Sequence, residues 1–422
     1  MFNKGLSLDQ APPISIPFRF FMTAPIFGIL LGLVFFFSPF ETISNQYSSL
    51  AIGAVHLFTL GILAMIIFGA MQQMMPVLAG VVIQKPNVFA NIVHTSLTFG
   101  TLAFGAYFIF NIKIALHIAV LLLSISFLTF FVYSIKLLFK VEFLTSTVKA
   151  MKLFALCGLI TVLLGVYIAS GHISSNISDN HYVFVNAHIL FAVFGFAVLL
   201  IMGVSFQVIP MFYVALDFPK LLQDKMPLVL FILLCVSFIS LYMELDMFFI
   251  KALFSILLCS FALFGLKSLN NRKRPVFDVT LWYWKLSLSM LIISILIWLS
   301  NAMESNYILA ITFALGFLYS LLQGMVYKII PFLSWFHLTS KGYFNVPTIR
   351  EFIDEKFIKY HFFLHCTALV LFVLSYYVNG LIYLASVIFI ASNILFFINC
   401  VNGGIKYKEI AKTDPMDMSA FK

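Results

Sequence analysis

Nine histidines are the main candidates for chemistry in a chain otherwise poor in reactive groups. His56 and His188 each precede, by a few residues, a copy of one spaced pattern described below. A neutral imidazole is a ligand for haem iron or copper, and a rigid helix aims such a ligand well. His117 falls in the same layer of the chain and is a further candidate ligand. His361 and His365 are four residues apart, so on a helix they share a face and make half of a metal site. The alternative for each is a hydrogen-bonded histidine at a membrane interface. His172 and His181 flank a polar segment, Ser174 to Asn180, and read as solvated.

The pattern itself is a glycine, a second glycine eight residues on, Gln or Lys four further and Pro three further. It reads Gly61, Gly69, Gln73, Pro76, then Gly195, Gly203, Gln207, Pro210, then Gly316, Gly324, Lys328, Pro331. A unit recurring at this scale is one structural module built three times. The glycines suit close helix packing in lipid. Gln73, Gln207 and Lys328 must find partners, line a cavity or snorkel to the headgroups.

These residues sit in long apolar runs. The chain is 62% hydrophobic and 10% charged, with 51 Phe, which makes it a polytopic membrane protein. A span takes about 20 apolar residues, and runs at roughly 18–39, 52–80, 91–111, 114–138, 149–170, 183–213, 226–243, 247–267, 280–300, 307–335, 360–378 and 380–401 qualify. In lipid they must be helices, and they alternate too little for a barrel. The expected fold is all-α, one membrane domain over residues 1–422, with repeat units at roughly 18–138, 149–267 and 280–401. The pattern then falls in spans 2, 6 and 10, with each proline at the inner end of its helix.

The net charge of +9 is a topology signal and not a nucleic-acid one. With the N-terminus in the cytoplasm and twelve spans, Lys136, Lys140, Lys267, Arg272, Lys273, Arg274, Lys341, Arg350 and Lys406 all fall inside, and Lys113 and Lys251 fall outside. Both termini are then cytoplasmic. On this topology His56, His117, His172, His181 and His188 lie toward the outer face, and His94, His337, His361 and His365 toward the inner one. The start, with its polar stretch from Ser7 to Pro17, does not read as a cleavable signal, so the first span is expected to be retained.

What is missing narrows the options. The sixteen acidic residues lie in loops, tails or span ends, which argues against a proton-coupled carrier. The five cysteines are single and read as packing residues. There is no P-loop, HExxH or zinc-type spacing.

Twelve spans in three quartets, with a histidine on the outer side of spans 2 and 6, resemble the catalytic subunit of the haem–copper oxidase and nitric oxide reductase superfamily. The residues that carry this are His56 through Gly61 with Gly69 to Pro76, His188 with Gly203 to Phe212, and Gly324 to Phe332 through Trp335-Phe336-His337. The NnrS group, haem- and copper-associated proteins tied to nitric oxide metabolism, has a comparable layout. The resemblance implies three pseudo-threefold arcs of four helices in a bacterial-type inner membrane. It implies His56 as an axial haem ligand and His188 as a copper ligand. The superfamily's paired histidines of span 7 and His-x-His of span 10 have no counterpart in 226–243 or 307–335. The implied function is therefore a reduced haem or copper site linked to respiratory or nitric oxide metabolism, with respiratory or metalloprotein subunits as partners, and not oxygen reduction. A cofactor-free permease, with Gln73, Gln207 and Lys328 along its path, and an assembly or structural factor are the competing expectations.

Overall fold

A computed structural model describes residues 12–300, 306–343 and 345–413. The positions of Ser7 to Pro17 before residue 12, and the tail beyond 413, lie outside the described residues. Among the described residues, twelve helices are long and apolar enough to cross a membrane. In chain order they are α1 Ser15–Phe37, α2 Ser49–Ala79, α3 Pro86–Phe110, α4 Lys113–Leu138, α5 Ser146–Ser174 and α6 His181–Tyr213. Then come α7 Lys220–Tyr242, α8 Phe248–Asn270, α9 Thr280–Leu299, α10 Asn306–Ser340, α11 Glu355–Leu374 and α12 Leu381–Ile410. Helices are the only open-ended way to satisfy every backbone group in lipid, and the described residues contain no strand. Local signals set the ends. Ser48 Oγ accepts from Ala51 N at 3.0 Å and Thr145 Oγ1 from Val148 N at 3.1 Å, capping α2 and α5. Pro86 opens α3. After α10 ends at Ser340, the loop to α11 holds a 3-10 turn, Ile349–Glu351, closed by a capping box from Thr348.

The chain forms two compact units. One lies within Met71–Pro275 and Leu291–Ala302, the other within Pro13–Ala70, Val276–Met290 and Met303–Lys422. In the first, α3 and α4 make a tight hairpin around Asn111, whose φ of 55° is left-handed. Its core stacks Phe154 on Phe196, with ring centres 5.4 Å apart and planes at 26°, and Phe131 meets both edge-on. In the second unit, α1 lies on α12, where Gly28 and Gly32 admit Asn393 and Ile390.

The three copies of the glycine pattern fold alike. Each begins with an eight-residue π-helical stretch: Leu57–Ala64 in α2, Phe191–Val198 in α6 and Thr312–Tyr319 in α10. The first glycine of each copy, Gly61, Gly195 or Gly316, is the fifth residue of its stretch. Each glycine pair packs on the preceding helix: Gly61 and Gly69 on Phe27 and Phe20, Gly195 and Gly203 on Cys157 and Ala150, Gly316 and Gly324 on Met290 and Tyr283. The contacts on that preceding helix are seven residues apart in every case, whereas the glycines are eight apart. In a regular α-helix eight residues overshoot two turns by about 80°, while seven fall about 20° short. The π stretch absorbs the extra residue and returns both glycines to one face.

Pro76 and Pro210 stand one turn before the ends of α2 and α6, as expected. Pro331 does not close its helix, because α10 continues to Ser340.

Candidate functional site

His56 and His188 belong to different units, and each is described with its own neighbours. His56 is half-buried, and its Nδ1 lies 2.8 Å from the Ile52 carbonyl one turn back. A carbonyl only accepts, so Nδ1 carries the proton and Nε2 the lone pair. That is how an axial imidazole ligand is held. The ring of His188 is laid against α5: Nδ1 donates to the Thr161 carbonyl at 3.0 Å, and a Cβ at Gly165 would sit 3.0 Å from Cε1. Its recorded role is thus to join two helices of one unit. His117 is exposed on α4, with Nδ1 3.4 Å from the Lys113 carbonyl of its own helix.

The repeat's polar positions part company. Both amide atoms of Gln73 are buried without a hydrogen-bond partner, and Gln207 is half-buried. Lys328 forms a short ion pair with Asp278, just ahead of α9, where most of both side chains is covered. The lysine is held by a carboxylate.

His361 and His365 are the predicted residues that the fold surrounds with other polar side chains. Both are almost wholly buried on α11, within the second unit. His361 Nδ1 stands 2.7 Å from the Tyr283 hydroxyl of α9 and 3.0 Å from the Tyr327 hydroxyl of α10. Asn399 of α12 donates to Tyr327 at 2.9 Å. Phe396 stacks on the His361 ring at 5.0 Å and 6°. One turn further along α11, His365 Nε2 lies 2.8 Å from Ser320 Oγ. Ser320 donates to the Leu315 carbonyl at 3.2 Å, so it accepts from His365. Leu315 lies inside the π stretch of α10, whose wide turn turns its carbonyls to side chains. Ser287 of α9 takes the Phe317 carbonyl of the same stretch at 2.8 Å. Beside His365 the Tyr319 hydroxyl donates to Asn393 Oδ1, and Asn393 Nδ2 is tied to the Phe389 carbonyl at 2.8 Å.

These groups form a file along α10. From Tyr327 to Tyr319 it spans about 12 Å at 1.5 Å per residue. The Lys328–Asp278 pair stands at one end of it. Several of its atoms lack partners: His361 Nε2, His365 Nδ1 and Ser392 Oγ, together with both amide atoms of Gln323, which lies beside the Tyr319 hydroxyl without a bond of normal geometry. Each such buried atom costs about 1–3 kcal/mol. A membrane interior that keeps this many at one place marks a functional site by default.

Sequence reading found the two histidines and missed Tyr283, Tyr319, Tyr327, Gln323, Asn393 and Asn399. A signal for four α10 residues was there. Aligned by their glycines, Tyr319, Ser320, Gln323 and Tyr327 match Ala64, Met65, Phe68 and Gln72 in the first copy. In the second they match Val198, Leu199, Met202 and Phe206. The third arm alone is polar at these four places together.

The histidine pair does not fit a shared metal ion as it stands. With metal–nitrogen bonds of about 2 Å and roughly 1 Å from nitrogen to ring centre, two imidazoles on one tetrahedral ion have centres about 5 Å apart. Theirs are 6.4 Å apart, at the limit that a linear arrangement would need, and His361 Nδ1 and His365 Nε2 are already bonded to hydroxyls. Among the described residues no three His, Cys, Asp or Glu side chains group as metal ligands. A haem does not fit against His361 either, since Tyr283, Tyr327 and Phe396 occupy its surroundings. His56 and His188 each have Nδ1 tied to a backbone carbonyl, the orientation that suits a single axial bond through Nε2.

No protein-family model and no curated protein sequence matches the chain.

Proposed function

We propose that the protein is a multi-pass membrane protein on a haem–copper oxidase-like frame, its three quartets set as pseudo-threefold arcs. It carries a reduced cofactor complement, one haem or copper centre at His56, and serves respiratory or nitric oxide metabolism in a bacterial-type inner membrane. The observation that carries this reading is the threefold identity of glycine contacts and π stretches in α2, α6 and α10. The Nδ1 bond of His56 supports the ligand role. When bound, such a group would supply one-electron chemistry. The protein's own part is to orient the imidazole through Ile52 and to exclude water with the apolar helix around it. Optical spectra and metal analysis of the purified protein test this. A Soret band or stoichiometric copper, lost in His56→Ala, is expected. Wild-type protein with neither removes the proposal.

A second reading is favoured by the polar file of α9–α12. On it the frame is a cofactor-free permease or an assembly factor, and the small neutral solute that crosses meets Tyr327, His361 and Gln323. Flux into proteoliposomes separates the two: a His361→Phe variant that folds and transports as well as wild type removes this reading.

A further inference from the structure

The one pair of histidines that read as merely solvated has a better metal geometry than the buried pair. His172 is in the last turn of α5, and His181 is the first residue of α6. Their ring centres are 5.7 Å apart with planes at 76°. Two imidazoles sharing one ion have centres between about 5 Å for a tetrahedral angle and roughly 6.4 Å for a linear one, given metal–nitrogen bonds of about 2 Å. The pair falls inside that range. The two rings meet each other, and among the described residues no side-chain hydrogen bond engages their nitrogens.

The loop between them is short and tied. Ser175 takes a left-handed φ of 53°, Asn176 N donates to the Gly171 carbonyl at 3.1 Å, and His181 N donates to the Ser178 carbonyl at 3.0 Å. A Cβ at position 171 would press the Asn176 carbonyl at 3.3 Å, which suits a glycine there. These bonds fix the backbone of the loop that joins the two histidines. His181 borders an open cleft of about 280 Å³, lined also by Tyr167, Ser170, Ser174 and Asn176, and His172 is exposed, so water can reach both rings.

We propose that His172 and His181 form an exposed two-imidazole site for a divalent late transition-metal ion. No third His, Cys or acidic side chain joins them among the described residues. Water therefore fills the remaining positions, and exchange with solvent is open. Imidazole nitrogen suits Cu²⁺, Ni²⁺ and Zn²⁺, with Cu²⁺ bound most tightly of the three. This site is independent of any cofactor at His56.

The test uses full-length protein purified in detergent through a tag without histidines, titrated with Cu²⁺ and followed by calorimetry and by electron paramagnetic resonance. One Cu²⁺ with hyperfine coupling to two imidazole nitrogens is expected. An outer-shell partner alone is worth about 10–100-fold in metal affinity, so removing a ligand in His172→Ala or His181→Ala should cost more than about tenfold. His172→Gln serves if the alanine variant misfolds, and size-exclusion chromatography reports folding. A His56→Ala, His188→Ala variant should keep the signal, which separates this site from one at His56. Absence of bound Cu²⁺, or affinity and spectrum unchanged in folded His172 and His181 variants, overturns the proposal. In that case the rings are an edge-to-face packing pair only.

Discussion

Tyr327 is where the polar file is most exposed to substitution. Its hydroxyl joins Asn399 to His361, so Tyr327→Phe leaves the buried Asn399 amide donor without its partner, while His361 Nδ1 keeps the Tyr283 hydroxyl. A loss of about 1–3 kcal/mol is expected, read as a lower unfolding midpoint in detergent. His361→Phe keeps the stack on Phe396 and removes the unpartnered Nε2, but it takes Nδ1 from both the Tyr283 and Tyr327 hydroxyls, so a loss of the same order is expected. If neither variant lowers the midpoint, the hydrogen bonds of the file contribute little. The histidine pair was legible in the sequence because its spacing is local, four residues on one helix. Tyr283, Tyr327 and Asn399 were not, because their partners come from other helices and no spacing links them. The partner of Lys328 was hidden for the same reason: Asp278 stands fifty residues away along the chain.

Among the helices, the spacing of eight between paired glycines records the π stretch. A straight α-helix would point two such glycines in different directions, so either the pattern was idle or the helix was not regular. The sequence carries that contradiction openly, but only the partner's spacing of seven resolves it. The packing predicts sharply different outcomes for two alanine substitutions. At Gly203 a new Cβ collides with the Cβ of Ala150, a backbone-anchored atom with no rotamer to escape into. Gly203→Ala should therefore destabilise by about 1–3 kcal/mol. At Gly404 the nearest atom is Phe18 Cδ2 at 3.5 Å, an ordinary contact, and the position is inside α12. Gly404→Ala should be neutral or stabilise by up to about 1 kcal/mol through helix propensity. Thermal unfolding of the two variants side by side checks both signs.

The molecule as a whole was the most legible scale, because lipid leaves so few options for a chain of this composition. The count of twelve helices among the described residues agrees with the sequence reading, with ends moved by at most six residues except where α12 runs on past 401 to Ile410. An even number of crossings returns the chain to the side it started from, and the basic loops argue that this side is the cytoplasm. A phosphatase reporter that is active only outside the cytoplasm should be silent when fused behind Thr413 and active behind Ser44. The opposite pattern inverts the topology, and activity at both sites breaks the even count.

The polar file also bears on how the protein is made. Its members reside on α9 to α12, and Asn393 and Asn399 come from α12. Before α12 packs, the Tyr319 hydroxyl lacks its Asn393 acceptor, while Tyr327 keeps His361 of α11. A chain truncated before Leu381 is therefore expected to hold a buried hydroxyl without its acceptor and to be degraded faster than the full chain in a pulse–chase experiment.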